Sequence, residues 1–359
     1  MSLLKVVLWG YYGPNYGDNI MLEVLLEYFN KKNIKVTLIQ MYDFTLQYKI
    51  HRYNNVEIIP FNYYSRLEKL KALKTLAKAD LNLWGGGTIF TDTDGDGNYR
   101  YFSLIKFFGG KIGYIGVGIG NLTDKKRIKK TKKLLSWSSL SVFRDKISLK
   151  RAQKLVPNQN YQLAEDLVYV WLNSRENIND QVSNKYILLT WRNLRGYLRF
   201  EKELELMKDT IDVIKYIMKK NSIQKVKLVA LDTNLDVDSC RILYKLLKTK
   251  NVNVEFDIDS SISNITDLIV NSYIHFSGRL HGSLVSEYYG INTITLSYSP
   301  KIQYFYESIN SKRYLDIYKN KINIESVDKI LQKAPEKINR IEKFNESRLN
   351  FNFLESFFK

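Results

Sequence analysis

An arginine and a histidine stand two residues apart in Ser277-Gly278-Arg279-Leu280-His281-Gly282-Ser283. A guanidinium gives a planar two-point grip on phosphate or carboxylate. An imidazole is the side chain best suited to move a proton near neutral pH. The apolar run 273–276 before them predicts a buried strand. Residues 283–290 after them predict a short helix, with Ser283 as its cap and Gly290 as its stop. Both side chains therefore sit on a strand-to-helix turn, where free N–H groups and the helix dipole favour an anion. The plainer reading pairs Arg279 with a nearby carboxylate and His281 with a backbone carbonyl. The coincidence of anion geometry, proton carrier and flanking glycines favours the ligand.

Other candidates lie at similar positions. Arg192, in Thr190-Trp191-Arg192-Asn193, follows a predicted strand over 186–190; its plain alternative is stacking on Trp191. Three glycine-rich stretches are expected as turns at strand ends: Gly10 to Asp18, Gly85-Gly86-Gly87, and Gly116 to Gly120. None has the spacing of a dinucleotide fingerprint, and Asp18 reads most simply as a helix cap. The loop Asp92 to Asn98 lacks an EF-hand's closing Glu, since its twelfth position is Ser103. It reads as a flexible acidic loop. With three His and one Cys there is no zinc spacing, and no metal is expected. His275 reads as a core histidine, and His51 carries no signal.

The elements that must position these residues alternate strand and helix, the pattern of parallel sheets with helices on their faces. The expected fold is α/β: two doubly wound, Rossmann-like domains facing a cleft, with ligands beyond the strands' carboxyl ends. Residues 1–175 are expected as the N-terminal domain on the acceptor side, 185–320 as the C-terminal domain on the donor side. Residues 321–359 are expected as helices packing back on the fold, with one helix over 324–344. The polar stretch 173–184 is the expected linker.

The chain of 359 residues has no apolar run long enough to span a bilayer, and its single cysteine, Cys240, allows no intrachain disulfide. The expected location is the cytoplasm. With 55 basic against 37 acidic residues the formal charge is +18. That charge implies an anionic partner, or merely a biased supply of Lys and Asn. The run from Lys125 to Lys133 reads first as a solvated helix face. Its functional reading is peripheral contact with anionic lipid headgroups on the inner face of the cell membrane. Nucleic acid is disfavoured because no stacking motif accompanies the run.

The sequence resembles the polysaccharide pyruvyl transferase family. Arg279-Leu280-His281-Gly282, Gly290 and Tyr298-Ser299-Pro300-Lys301 are similar to its C-terminal signature, and Gly13-Pro14-Asn15-Tyr16-Gly17-Asp18-Asn19 to its first loop. Gly85-Gly86-Gly87, Gly116 to Gly120, Phe143-Arg144-Asp145 with Ser148, and Ala164-Glu165-Asp166 follow in family order. Asn292 departs from the family, which often has proline there. The resemblance implies an arrangement like that of B-type glycosyltransferases. It also implies transfer of pyruvate from phosphoenolpyruvate to a sugar of a cell-surface polysaccharide or its undecaprenyl-linked precursor, as in exopolysaccharide synthesis. The product would be a ketal or, in some members, an enolpyruvyl group; no cofactor is implied. Arg192, Arg279 and His281 match the family's donor-binding and catalytic residues. Asn15, Gly17, Asp18, Gly86, Gly87, Gly282, Ser283 and Lys301 are the expected substrate-binding positions, with Asp18 also a candidate to deprotonate an acceptor hydroxyl. The alternative is a B-type glycosyltransferase using a nucleotide sugar; a third class is a non-catalytic basic binder.

Overall fold

The computed structural model describes residues 4–42, 52–175, 186–258, 261–319 and 321–359. His51 and most of the expected linker lie outside them. The first half runs β1 (Lys5–Trp9), α1 (Tyr16–Lys31), β2 (Lys35–Ile39), β3 (Val56–Ile59), α2 (Arg66–Leu76), β4 (Leu81–Phe90), α3 (Tyr99–Phe107), β5 (Ile112–Ile119), α4 (Lys125–Trp137), β6 (Ser138–Phe143), α5 (Lys146–Leu155), β7 (Gln162–Leu163) and α6 (Val168–Asn173). The second runs β8 (Tyr186–Thr190), α7 (Phe200–Lys220), β9 (Lys225–Val229), α8 (Val237–Thr249), β10 (Val254–Asp257), α9 (Ile262–Val270), β11 (Ile274–Ser277), α10 (Leu280–Tyr288), β12 (Thr293–Ser297), α11 (Pro300–Ser308), β13 (Tyr314–Asp316), α12 (Ile324–Leu331) and α13 (Arg340–Phe358).

The strands form two all-parallel sheets, in the orders β3-β2-β1-β4-β5-β6-β7 and β10-β9-β8-β11-β12-β13. Strands such as β5, IGYIGVGI, are buried throughout, as sheets covered on both faces require. The order reverses at β1/β4 and at β8/β11, which are the switch points where such sheets hold ligands. The two compact units are 1–13, 18–174 and 340–359, and 14–17 with 175–339.

Because crossovers are right-handed, the reversal at β1/β4 sends α1 to one face of the first sheet and α2 through α5 to the other. Leu73 and Leu76 of α2, Phe102 and Ile105 of α3, Leu134 and Leu135 of α4 and Ala152 of α5 pack into a single apolar cluster. On the opposite face Tyr28 of α1 stacks on Phe351 of α13 at 4.3 Å, and Trp171 of α6 donates to Glu23 of α1 at 2.8 Å. Lys343 of α13 grips Glu165 at 2.8 Å; burial pushes that carboxyl up to about 7 even against the pull of Lys343.

Several expectations need correction. Gly85 to Gly87 lie inside β4 rather than beyond it, and Gly116 lies inside β5. Gly86, Gly87 and Gly116 adopt φ of 80°, 84° and 63°, which bends the ladder without ending it. The closing helix over 324–344 is two helices, α12 in the second unit and α13 in the first; Pro335 falls in the gap, where it cannot continue a helix. The acidic loop is a built turn. Asp92 accepts from the backbone of Thr123 and Asp124, Thr91 Oγ1 from Asp94 and Gly95, and Asp96 pairs with Lys130 at 2.9 Å. Among the described residues no group of carboxylates, His or Cys is arranged to hold a metal.

Candidate functional site

In the second unit four parallel strands end at one edge. β8 delivers Arg192, β9 leads to Asp232 and Asp236, β11 to Arg279 and α10, and β12 to Tyr298 and α11. Gly278 brings the two central strand ends together. Its N–H donates to Thr190 O at 2.7 Å, and a Cβ there would lie 2.7 Å from Arg192 N. Only glycine permits that approach.

Helix α10 starts at Leu280, not at Ser283, with Arg279 as its N-cap. His281 therefore lies within the first turn, half-buried, among the N–H groups that have no acceptor inside the helix. Gly282 and Ser283 fall on the buried side. A Cβ on Gly282 would stand 2.8 Å from Leu231 and 2.9 Å from Ser277 Oγ, so this glycine lets helix and sheet close up. Ser283 is fully buried, with its hydroxyl tied to Ser277, Arg279 O and Thr295.

Arg279 uses its fork on protein. Nε and Nη2 donate to the two oxygens of Asp236, each at 2.7 Å, and Nη2 lies 3.2 Å from Asp232. Burial opposes its charge, but the two carboxylates more than restore it, holding the guanidinium well above its ordinary pKa. The carboxylate pairing weighed as the plain alternative is what the structure contains. Asp232 and Asp236 were missed in the sequence. Their signal was two acidic residues four apart just past a strand, at the start of a helix.

Arg192 is buried, and the neighbouring Trp191 donates its indole N–H to Glu203 at 3.1 Å. Its guanidinium lies 4.4 Å over the ring of Tyr298 and 5.2 Å over that of Tyr197, with Nη1 donating to Tyr298 Oη at 3.0 Å. Lys301, in the first turn of α11, sets its ammonium 5.3 Å over the same Tyr298 ring. Two cations thus share one aromatic plate beside the N-terminus of a helix.

The segment Pro14 to Gly17 belongs to this unit. Tyr16 N donates to Leu231 O at 2.9 Å, Thr233 N to Pro14 O at 3.0 Å, and Asn15 Nδ2 to Asp232 at 3.2 Å. Asn15 Oδ1 in turn accepts from Gly17 N at 3.0 Å. The imidazole of His281 rests against Gly17, where any Cβ would collide with it. Gly17 is a glycine because His281 is there.

In the first unit Asp18 faces Gly87; a Cβ at Gly87 would lie 3.1 Å from its carboxylate. Burial first, and the Asp18 charge second, raise the Tyr12 phenol well above its ordinary pKa. Gly86 is covered by Met21, so its bareness lets α1 pack on β4. Asn19 clamps the Gly13 peptide, accepting from its N–H and donating to its carbonyl.

His275 is a core residue, as expected. It is fully buried between Thr190 and Ser286, at 2.9 and 2.6 Å, and burial pushes its pKa from 6.5 down to about 3. The unfolded chain therefore binds this proton first. Stability should fall as pH drops below about 6.5 and continue falling toward 3. In His275→Gln that slope should flatten in urea titrations across the acid range; an unchanged slope would remove His275 as its source.

The polysaccharide pyruvyl transferase family model matches residues 15–300. The chain belongs to that family. Arg192, Arg279 and His281 lie inside the matched span of this pyruvyl transferase family member, and Lys301 lies one residue beyond it. No curated protein matches it by sequence. Its fold is similar to that of UDP-N-acetylglucosamine 2-epimerase from Rickettsia bellii, with a TM-score of 0.67 at 12% identity, covering 99% of this chain and 96% of that one. The Neisseria meningitidis UDP-GlcNAc 2-epimerase, bound to UDP-GlcNAc, gives 0.67 at 13%, over 99% and 100%. Anabaena HepE, in complex with UDP-glucose, gives 0.63 at 10%, over 99% of each. These likenesses establish a fold of the B-type glycosyltransferase kind, as the sequence led one to expect.

Proposed function

We propose that the protein transfers pyruvate from phosphoenolpyruvate to a sugar of a cell-surface polysaccharide, or of its lipid-linked precursor at the inner membrane face, as a ketal. The observation that carries this reading is His281 in the first turn of α10, inside the span that matches the family. Phosphoenolpyruvate brings a phosphate and a carboxylate. Arg192, Lys301 and the N-termini of α10 and α11 supply cationic and N–H partners, and each ionic hydrogen bond contributes roughly 1.5–3 kcal/mol. His281 protonates the methylene carbon, and one sugar hydroxyl adds to C2 and releases its proton. A second hydroxyl of the same sugar then displaces phosphate, which leaves as inorganic phosphate and closes the ketal. Arg192 balances charge on the donor. Arg279, spent on Asp236 and Asp232, acts as a positioning residue that fixes the β11–α10 turn. Asp18 of the first unit is the candidate to take the acceptor hydroxyl's proton.

The test is acceptor-dependent phosphate release from phosphoenolpyruvate on purified protein, with product masses read on synthetic lipid-linked sugars. A gain of one pyruvate less one water supports the reading; hexose transfer overturns it. The second reading, a nucleotide-sugar transferase, draws on the UDP-sugar complexes of the structural neighbours. Thermal protection by UDP, with none from phosphoenolpyruvate, would favour it.

Gly17→Ala tests the imidazole's seat. The added methyl must push His281 aside, and a displacement of about an ångström costs on the order of 10²-fold in turnover. Turnover at the wild-type rate would mean that His281 does not need this position.

A further inference from the structure

The positive charge of this chain is not spread evenly. Helix α4 carries seven Lys and Arg and no acidic residue, α5 four and none, α3 two and none, and α2 four against a single Glu. All four pack on one apolar cluster and so cover one face of the first sheet. The helices on its other face differ: α1 has three acidic residues and one basic, and α13 three of each. In the second unit α7 has five of each. A biased supply of lysine would have enriched α1, α7 and α13 as well. The asymmetry therefore belongs to the face.

Within α4, Asp96 takes Lys130 and stands 3.8 Å from Arg127. Lys125, Lys126, Lys129, Lys132 and Lys133 are exposed and pair with no carboxylate among the described residues. The same layer leaves large apolar side chains in solvent. Phe107, at the end of α3, is 79% exposed; Leu67 in α2 is 62% and Tyr63, just before it, 68%. α2 and α3 pack side by side, as do α3 and α4, with Tyr99 stacked on Trp137 between the last two.

We propose that the α2–α5 face of the first unit docks on an anionic lipid bilayer, its lysines at the headgroups and Phe107, Leu67 and Tyr63 dipping beneath them. Charge complementarity names the occupant, and the exposed apolar residues select a bilayer over a nucleic acid. A polyanion of phosphates gives apolar side chains nothing to enter, whereas a bilayer accepts both kinds of contact. The docking goes beyond the reaction proposed above and is read without donor or acceptor. A failed transfer assay therefore leaves it standing, and failed docking leaves the reaction standing.

The experiment is sedimentation of the full chain with phosphatidylcholine vesicles, with and without phosphatidylglycerol. Binding should require phosphatidylglycerol and weaken as salt rises. Replacing Lys125, Lys126, Lys129, Lys132 and Lys133 with Gln should lower partitioning on the order of 10³-fold, at roughly five-fold per lysine. Phe107→Ser with Leu67→Ser should remove the binding that persists at high salt. Thermal melting of both variants should match the parent, because every altered side chain is exposed. Partitioning that ignores the lysines, or no binding to anionic vesicles, would overturn the proposal. So would tighter binding to RNA that is indifferent to Phe107 and Leu67.

Discussion

His281→Gln is expected to lower acceptor-dependent phosphate release by roughly 10²- to 10⁴-fold, the range general acid catalysis supplies. The protein should stay folded, because the imidazole is half-buried at a helix start and is not part of a core cluster. Donor binding should survive better than turnover, since Arg192, Lys301 and the helix N-termini remain in place. Single-turnover measurements beside a donor-dependent thermal shift separate the two effects. A variant that binds phosphoenolpyruvate and turns it over at the parental rate would leave the proton transfer to another group.

The largest effect on stability should come from Arg279→Ala. Its removal leaves Asp236 and Asp232 buried with their main counter-charge gone, and breaking a buried pair in this way costs about 3–5 kcal/mol. Arg279→Lys should recover only part of the loss, because an ammonium cannot bond both oxygens of Asp236 in the fork geometry. Urea midpoints at fixed m-value measure this directly. If both variants kept parental stability while losing donor affinity, Arg279 would be a substrate ligand after all, and its role as a positioning residue would be wrong.

The architecture was legible in the sequence because parallel strands buried on both faces read as unbroken apolar runs. The segment 186–190 and the helix over 262–270 coincide with β8 and α9. What failed were elements whose identity depends on a distant partner. Gly85 to Gly87 look like a turn from their composition, yet pairing with β5 carries the strand through them, and Met21 and Tyr12 fill the space the missing side chains leave. Helix α10 begins three residues early because Gly282 lets it sink onto Leu231 and Ser277, contacts no local pattern announces. Strand-end position and residue type suffice to pick out Arg192, Arg279 and His281 of the second unit as candidates. Their partners are not legible that way. Tyr298, Asp232 and Asp236 acquire their meaning only when β9, β8, β11 and β12 lie side by side.

The segment Pro14 to Gly17 folds with the second unit although the chain around it folds with the first. Each half of the molecule is thus a composite, and no single cut in the gene separates them. A chimera that exchanges the second unit between relatives at residue 175 would bring in a new histidine yet keep the old glycine pressed against it. Swaps that carry 14–17 along with 175–339 should give working hybrids where simple fusions do not, so recombination within such a family is constrained at a site far upstream of the visible joint.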